Sequence, residues 1–153
     1  MNLEQLEINL TKQGFKVSKY LTPEDGTGFA LSHPALSDKV EIVVLYDGER
    51  YEIFRSTPTE KGGIHRTSYV SVVYGYEVPK YVMYHLKSHI FMACKKLWTD
   101  ISQQLTIDQY RETMNGGDTS FKSIALRAMK ISNSKTVHSL CSDLIQTYEC
   151  LEF

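Results

Sequence analysis

Apolar residues recur along this chain with two different periods, and the switch from one to the other organises it. Leu3, Leu6 and Leu10 fall on one stripe at helical spacing. They predict a helix over residues 2–13, with Gly14 placed where a left-handed C-terminal cap is common. A short β segment, Phe15 to Tyr20, follows. Thr22-Pro23-Glu24-Asp25-Gly26 then reads as a turn. Residues 28–32 read as a short strand, ended by His33-Pro34.

The strongest β signal comes next. Val40 to Tyr46 and Glu49 to Arg55 flank Asp47-Gly48, a pair that tolerates the positive φ of a two-residue hairpin turn. Centring the turn on Asp47-Gly48 pairs Val44 with Tyr51 and Ile42 with Ile53. Those four share one face, which is assigned to the core. The other face carries Leu45, Val43, Glu41, Arg50, Glu52 and Phe54, a mixed set that predicts partial cover. After a loop at 56–63, strand-like residues run from Ile64 to Val78. Val70, Val72, Tyr74 and Tyr76 share one parity and are expected to be buried. Tyr69, Ser71 and Val73 share the other, and Gly75 marks a candidate bulge.

From Pro79 the period becomes helical. Val82, Leu86, Ile90, Ala93, Leu97 and Ile101 make one stripe over residues 79–102, while Tyr84, Phe91 and Trp98 lie on the opposite side. A helix apolar on two sides calls for two covering layers: the sheet for the first stripe, later helices for the second. Three more helices are predicted, over 106–114, 120–131 and 134–150. Asn115-Gly116-Gly117 is the stop between the first two, and Asp118 or Thr119, then Ser134 or Thr136, are candidate caps. The expected architecture is a single α+β domain over 1–153. It has an N-terminal helix, an antiparallel sheet of about four to five strands over 15–78, a long helix packed on that sheet, and C-terminal helices over 106–150.

Composition narrows the class. The chain has 153 residues, 42% hydrophobic and 23% charged, which fits a globular domain and not a disordered or fibrous one. No apolar run approaches the ~20 residues that span a bilayer. The N-terminal MNLEQLEINL has neither the basic nor the apolar region of a secretory signal, so a cytoplasmic location is expected. Cys94, Cys141 and Cys150 are odd in number and widely spaced, which points to free thiols rather than a disulfide framework or zinc ribbon. The net charge of −1 does not describe a general polyanion binder, although acids dominate residues 1–60 and bases residues 61–153.

Motifs for chemistry are sparse. His85 and His89, four apart on the long helix, are a weak metal-ligand pair; they lack the glutamate of H-E-x-x-H and a dictated third ligand. His65-Arg66-Thr67 is half of the paired H-x-[ST] arrangement of two-histidine phosphoesterases. The second half is missing, because His138-Ser139-Leu140 and His85-Leu86-Lys87 lack the hydroxyl. With Gly62-Gly63 before it, this segment is a candidate anion or catalytic site. No nucleophile elbow, Walker loop or dinucleotide fingerprint occurs, and no cofactor is implied. Lys122, Arg127, Lys130 and Lys135 make residues 119–135 basic, on two helices that can imitate a helix-turn-helix.

Ten tyrosines occur, seven of them from Tyr46 to Tyr84. Tyrosine couples large contact area with a polar tip and is enriched at interfaces. The leading expectation is therefore a non-catalytic protein-binding domain, occluding or bridging a partner. It is of the inhibitor, immunity, anti-defence or adaptor type familiar from bacteria and phages. Arg50, Tyr51, Glu52, Phe54, Arg55 and Tyr69 are its candidate contacts. The partner is another protein, with a homodimer open and no membrane implied. The alternatives are a small hydrolase or nuclease-like enzyme built on His65, Arg66 and Thr67, and nucleic-acid binding through the basic helices.

Overall fold

A computed structural model describes residues 2–21, 26–37, 39–61 and 63–151. The turn expected at 22–25, and Gly62 of the Gly-Gly pair, lie outside the described residues. The elements are α1 (Leu3–Lys12), β1 (Lys16–Leu21), β2 (Thr27–Ser32), β3 (Glu41–Tyr46), β4 (Tyr51–Pro58), β5 (Ile64–Arg66) and β6 (Ser71–Val73). A single 3₁₀ turn (Gly75–Glu77) follows, then α2 (Val78–Gln104), α3 (Ile107–Met114), α4 (Phe121–Ile131) and α5 (Lys135–Glu149). This is the expected α+β order. The chain divides into two compact units, residues 1–87 and 88–153, with α2 continuous through the boundary.

In the first unit, α1 begins at a reciprocal cap. Asn2 accepts from the Gln5 N–H at 2.8 Å, and the Gln5 side chain accepts from the Asn2 N–H at 3.1 Å. The helix stops at Gly14, whose φ of +94° lets Phe15 N–H reach back to the Leu10 carbonyl at 3.1 Å. The sheet is antiparallel in the order β1-β2-β3-β4-β5, and β6 also pairs with β4. β5 and β6 thus share the edge of β4 opposite β3, forming one edge strand interrupted over residues 67–70.

The β3–β4 hairpin is closed differently from the expectation. Val44 pairs with Ile53, Val43 with Phe54 and Leu45 with Glu52, a shift of two residues. The turn centres on Gly48-Glu49, with Gly48 at φ +102°. Asp47 moves to the corner, where its carboxylate accepts the N–H groups of Glu49 (2.9 Å) and Arg50 (2.7 Å), which holds its pKa below the ordinary value. Because side chains alternate with period two, a slip of two leaves every residue on its expected face. Arg50 leaves the strand for the turn.

Ile42, Val43 and Val44 are all fully buried, so both faces of β3 are covered at its centre. One face carries Phe29, Leu31, Ile42, Val44 and Ile53, all fully buried. On the other, Ala30, Val43 and Phe54 form a cluster flanked by Leu21, Leu45, Ile64 and Val70. The Arg66 guanidinium lies 4.7 Å over the Phe54 ring and pairs with Glu52 at 3.5 Å. The face expected to be only partly covered is therefore closed at its centre, by the flanking apolar residues and by the Arg66 guanidinium laid over Phe54.

The segment before α2 also departs from its expectation. Ser71 and Val73 are buried, whereas Val72, Tyr74 and Tyr76 are exposed, the reverse of the expected parity. Ser71 and Val73 pair with Ile53 and Tyr51, which turns them to the covered face. The strand also ends at Val73, and the 3₁₀ turn replaces its expected continuation.

In the second unit, Thr106 and Gln109 form another reciprocal cap, while Ser120 and Ser134 cap α4 and α5. Ile124, Ala125 and Ala128 of α4 and Val137, Cys141 and Leu144 of α5 are buried. Of the aromatic stripe on α2, Phe91 meets Phe121 at 5.5 Å and Trp98 meets Tyr110 at 6.3 Å. Only Trp98 gains partial cover from these contacts; Phe91 stays 49% exposed and Tyr84 46%, so the expected second covering layer is incomplete.

Candidate interaction surface

Three groups of side chains follow one another from Tyr69 to His85. The first surrounds His85, which α2 turns inward until it is fully buried. Its Nε2 is 3.1 Å from Ser71 Oγ, and the Tyr69 ring stacks on the imidazole at 4.5 Å. Arg55 donates to the His85 carbonyl at 2.8 Å and lies 6.0 Å over Tyr69. Burial, and then the charge of Arg55, push the His85 pKa down to about 4, so the ring is neutral near pH 7. Its Nδ1 meets no partner at full hydrogen-bond geometry among the described residues, although the Ile53 backbone opposes part of the shift. Burial also lowers the pKa of Arg55.

The second group is at the end of β6. Tyr74 and Tyr76 have parallel rings 6.4 Å apart, and Arg50 reaches from the hairpin turn to lie 5.5 Å over Tyr74. The Tyr74 backbone is fixed by its N–H donating to Glu77 at 3.0 Å. The third group is on the first turns of α2, where Tyr81 and Tyr84 meet edge to face and Lys80 is 5.6 Å over Tyr84. Tyr69 is 56% exposed, Tyr74 46% and Tyr76 73%.

Of the contacts expected from sequence, Arg50 and Tyr69 belong to this surface. Tyr51 and Phe54 are buried on opposite faces of the sheet, at 4% and 0% exposure, and offer no docking area. Glu52 is committed to Arg66, and Arg55 to the His85 carbonyl. Tyr74, Tyr76, Lys80 and Tyr84 were missing from that set. Their signal was the run from Thr67 to Tyr76, which contains no charged residue and leads into a helix start.

The other candidates do not converge. His65 and Arg66 are exposed neighbours on β5 and point to opposite faces, Arg66 toward Phe54. Thr67 donates its N–H to the Arg55 carbonyl at 3.0 Å, as a strand connection does. His85 is consumed by Ser71 and Tyr69, and among the described residues no group of three His, Cys, Asp or Glu could hold a metal ion. Ser71 and His85 have the spacing of a nucleophile and base, yet both are buried. Two clefts of about 490 and 570 Å³ are lined by other residues, among them Lys16, His33 and Lys39 in one and Asn2, Tyr46 and Tyr51 in the other. In the basic helices, Lys122 pairs with Glu149 at 3.8 Å. Arg127 donates to the Thr113 carbonyl at 2.6 Å and to the Asp118 carbonyl, pinning the α3–α4 loop. Lys130 and Lys135 remain exposed. Cys94 and Cys141 are buried, and burial raises both pKa values to about 11, while Cys150 is exposed. No helix among the described residues is long and apolar enough to cross a membrane. No protein-family model, curated protein or solved structure matches the chain.

Proposed function

We propose that this chain is a non-catalytic protein-binding domain that works by occluding or bridging a partner through Tyr69, Val72, Tyr74, Tyr76 and Tyr84, with Arg50 and Lys80 at the rim. The observation that carries the reading is the exposure of four tyrosines within sixteen residues of chain, three of them with cations held over their rings. Tyrosine and arginine are enriched at binding hot spots: tyrosine buries much area for few rotors and keeps a polar tip, and arginine adds a planar cation that stacks and donates. Their mutual contacts restrain the rings before any partner arrives, which lowers the entropy lost on docking.

The test is a photo-crosslinking amino acid at position 76, compared with one at exposed Gln103, in cells that naturally produce the chain. Reaction at 76 with a discrete protein, and none at 103, is the expected result. Equal labelling at both positions, or none at 76, refutes the reading.

A further inference from the structure

The edge of the sheet beside this surface is built unlike the opposite edge. β1 is protected in the usual ways: Lys16 and Lys19 lie on it, and its register shifts between Val17 and Lys19. β6 pairs only with β4 among the described residues. Val72 on it is 52% exposed, and no charge occurs from Thr67 to Tyr76. Such an edge is a template for another strand unless something occupies it. The carboxylates nearest it are already engaged: Glu52, paired with Val72, is bound to Arg66 at 3.5 Å, and Asp47, beside Arg50, accepts the Glu49 and Arg50 N–H groups. Glu77 is the sole acid between Tyr69 and Lys87, and its carboxylate already accepts the Tyr74 N–H. Arg50 and Lys80 rest on tyrosine rings, and among the described residues neither has a carboxylate within ion-pair distance.

Resting on the protein-binding reading above, we infer that the partner presents an acidic segment in extended conformation, which adds to the sheet along β6. Main-chain hydrogen bonds to β6 supply the alignment. Alternate side chains of the segment pack on Val72 and the tyrosines, and its carboxylates meet Arg50 and Lys80. A nucleic acid would use the same tyrosines by stacking and the same cations through phosphate, but it has no use for a strand edge.

The full chain is titrated with a capped peptide of alternating Glu and Val, with its Lys-Val counterpart, and with an oligouridylate, all at low salt. The Glu-Val peptide is expected to bind, and amide exchange at Ser71–Val73 is expected to slow on binding. Arg50→Ala with Lys80→Ala should weaken it about tenfold. Val72→Lys, at an exposed position, should abolish it while leaving the circular dichroism unchanged. Failure of the Glu-Val peptide to bind, equal binding of the Lys-Val peptide, or binding of the oligouridylate alone overturns the inference. So does a dimer of the chain by itself that Val72→Lys dissociates, since a second copy would then be the occupant. If the peptide fails while crosslinking at position 76 persists, only the acidic strand is refuted; if both fail, the binding surface is refuted as well.

Discussion

Acidification from pH 7 to pH 5 should destabilise this fold by about 2 kcal/mol through His85 alone. In the unfolded chain the imidazole titrates near 6.5; in the folded chain burial and Arg55 lower it to about 4. Between those values the unfolded state binds a proton that the folded state refuses. The stabilisation is therefore complete above 6.5, falls as pH drops through the window, and is fully lost below 4. The whole interval is worth about 3 kcal/mol, at 1.36 kcal/mol per pKa unit, and about two thirds of it is spent by pH 5. Of the groups that face His85, Ser71 and Tyr69 are neutral and Arg55 is a cation; burial and Arg55 outweigh the Ile53 backbone, which favours the charged ring. The assay is urea denaturation at pH 7 and pH 5, followed by circular dichroism, on the wild type and on His85→Gln. The four other histidines are common to both proteins and cancel in the comparison. The wild-type midpoint should fall by about 1 M more than that of the variant. Parallel pH responses, or an NMR titration placing His85 near 6.5, would refute the account of its burial.

Tyr69→Ala should uncover one face of the same imidazole, and NMR should then find the His85 midpoint moved up toward 6.5. Phe54→Ala should cost about 3–5 kcal/mol in denaturant titrations, because a fully buried ring is removed from the Ala30–Val43 cluster; a loss under 1 kcal/mol would mean that this face of the sheet is open. Native chain should react with one equivalent of a thiol reagent near pH 8, at Cys150, and with three in denaturant, since Cys94 and Cys141 are buried with pKa values near 11. Mass spectrometry that found Cys94 modified under native conditions would contradict its packing.

Local chemistry made most of the element order legible. Gly14 after a Leu3-Leu6-Leu10 stripe, Ser134 before a capped helix, and the long apolar period after Pro79 are each decided within one or two turns of chain, so neighbours in sequence suffice. Between Tyr69 and Tyr76 the sequence was ambiguous by its own composition. Apolar residues occupy both parities there, and alternation cannot choose a face. The choice was made by β4, whose pairing with Ser71 and Val73 turned Val72 and Tyr74 outward.

The hairpin turn shows the same division on a smaller scale. Asp47-Gly48 marked a turn correctly, and the two strand faces followed. Which residues sat at its centre depended on a carboxylate choosing between turn positions, a difference of few kcal/mol that composition does not report. The candidate site was least legible of all. Phe54 looked like a partner contact because half of a strand's side chains ordinarily face solvent, and Tyr51 was expected to be another although its parity placed it on the core face; this sheet is covered at its centre on both faces. The tyrosines, the charge-free run over 67–76 and His85 were all readable in the chain. Which of them met solvent, and that His85 was sealed beneath Tyr69, depended on contacts between segments far apart in sequence, and those exist only once the sheet and helix have closed.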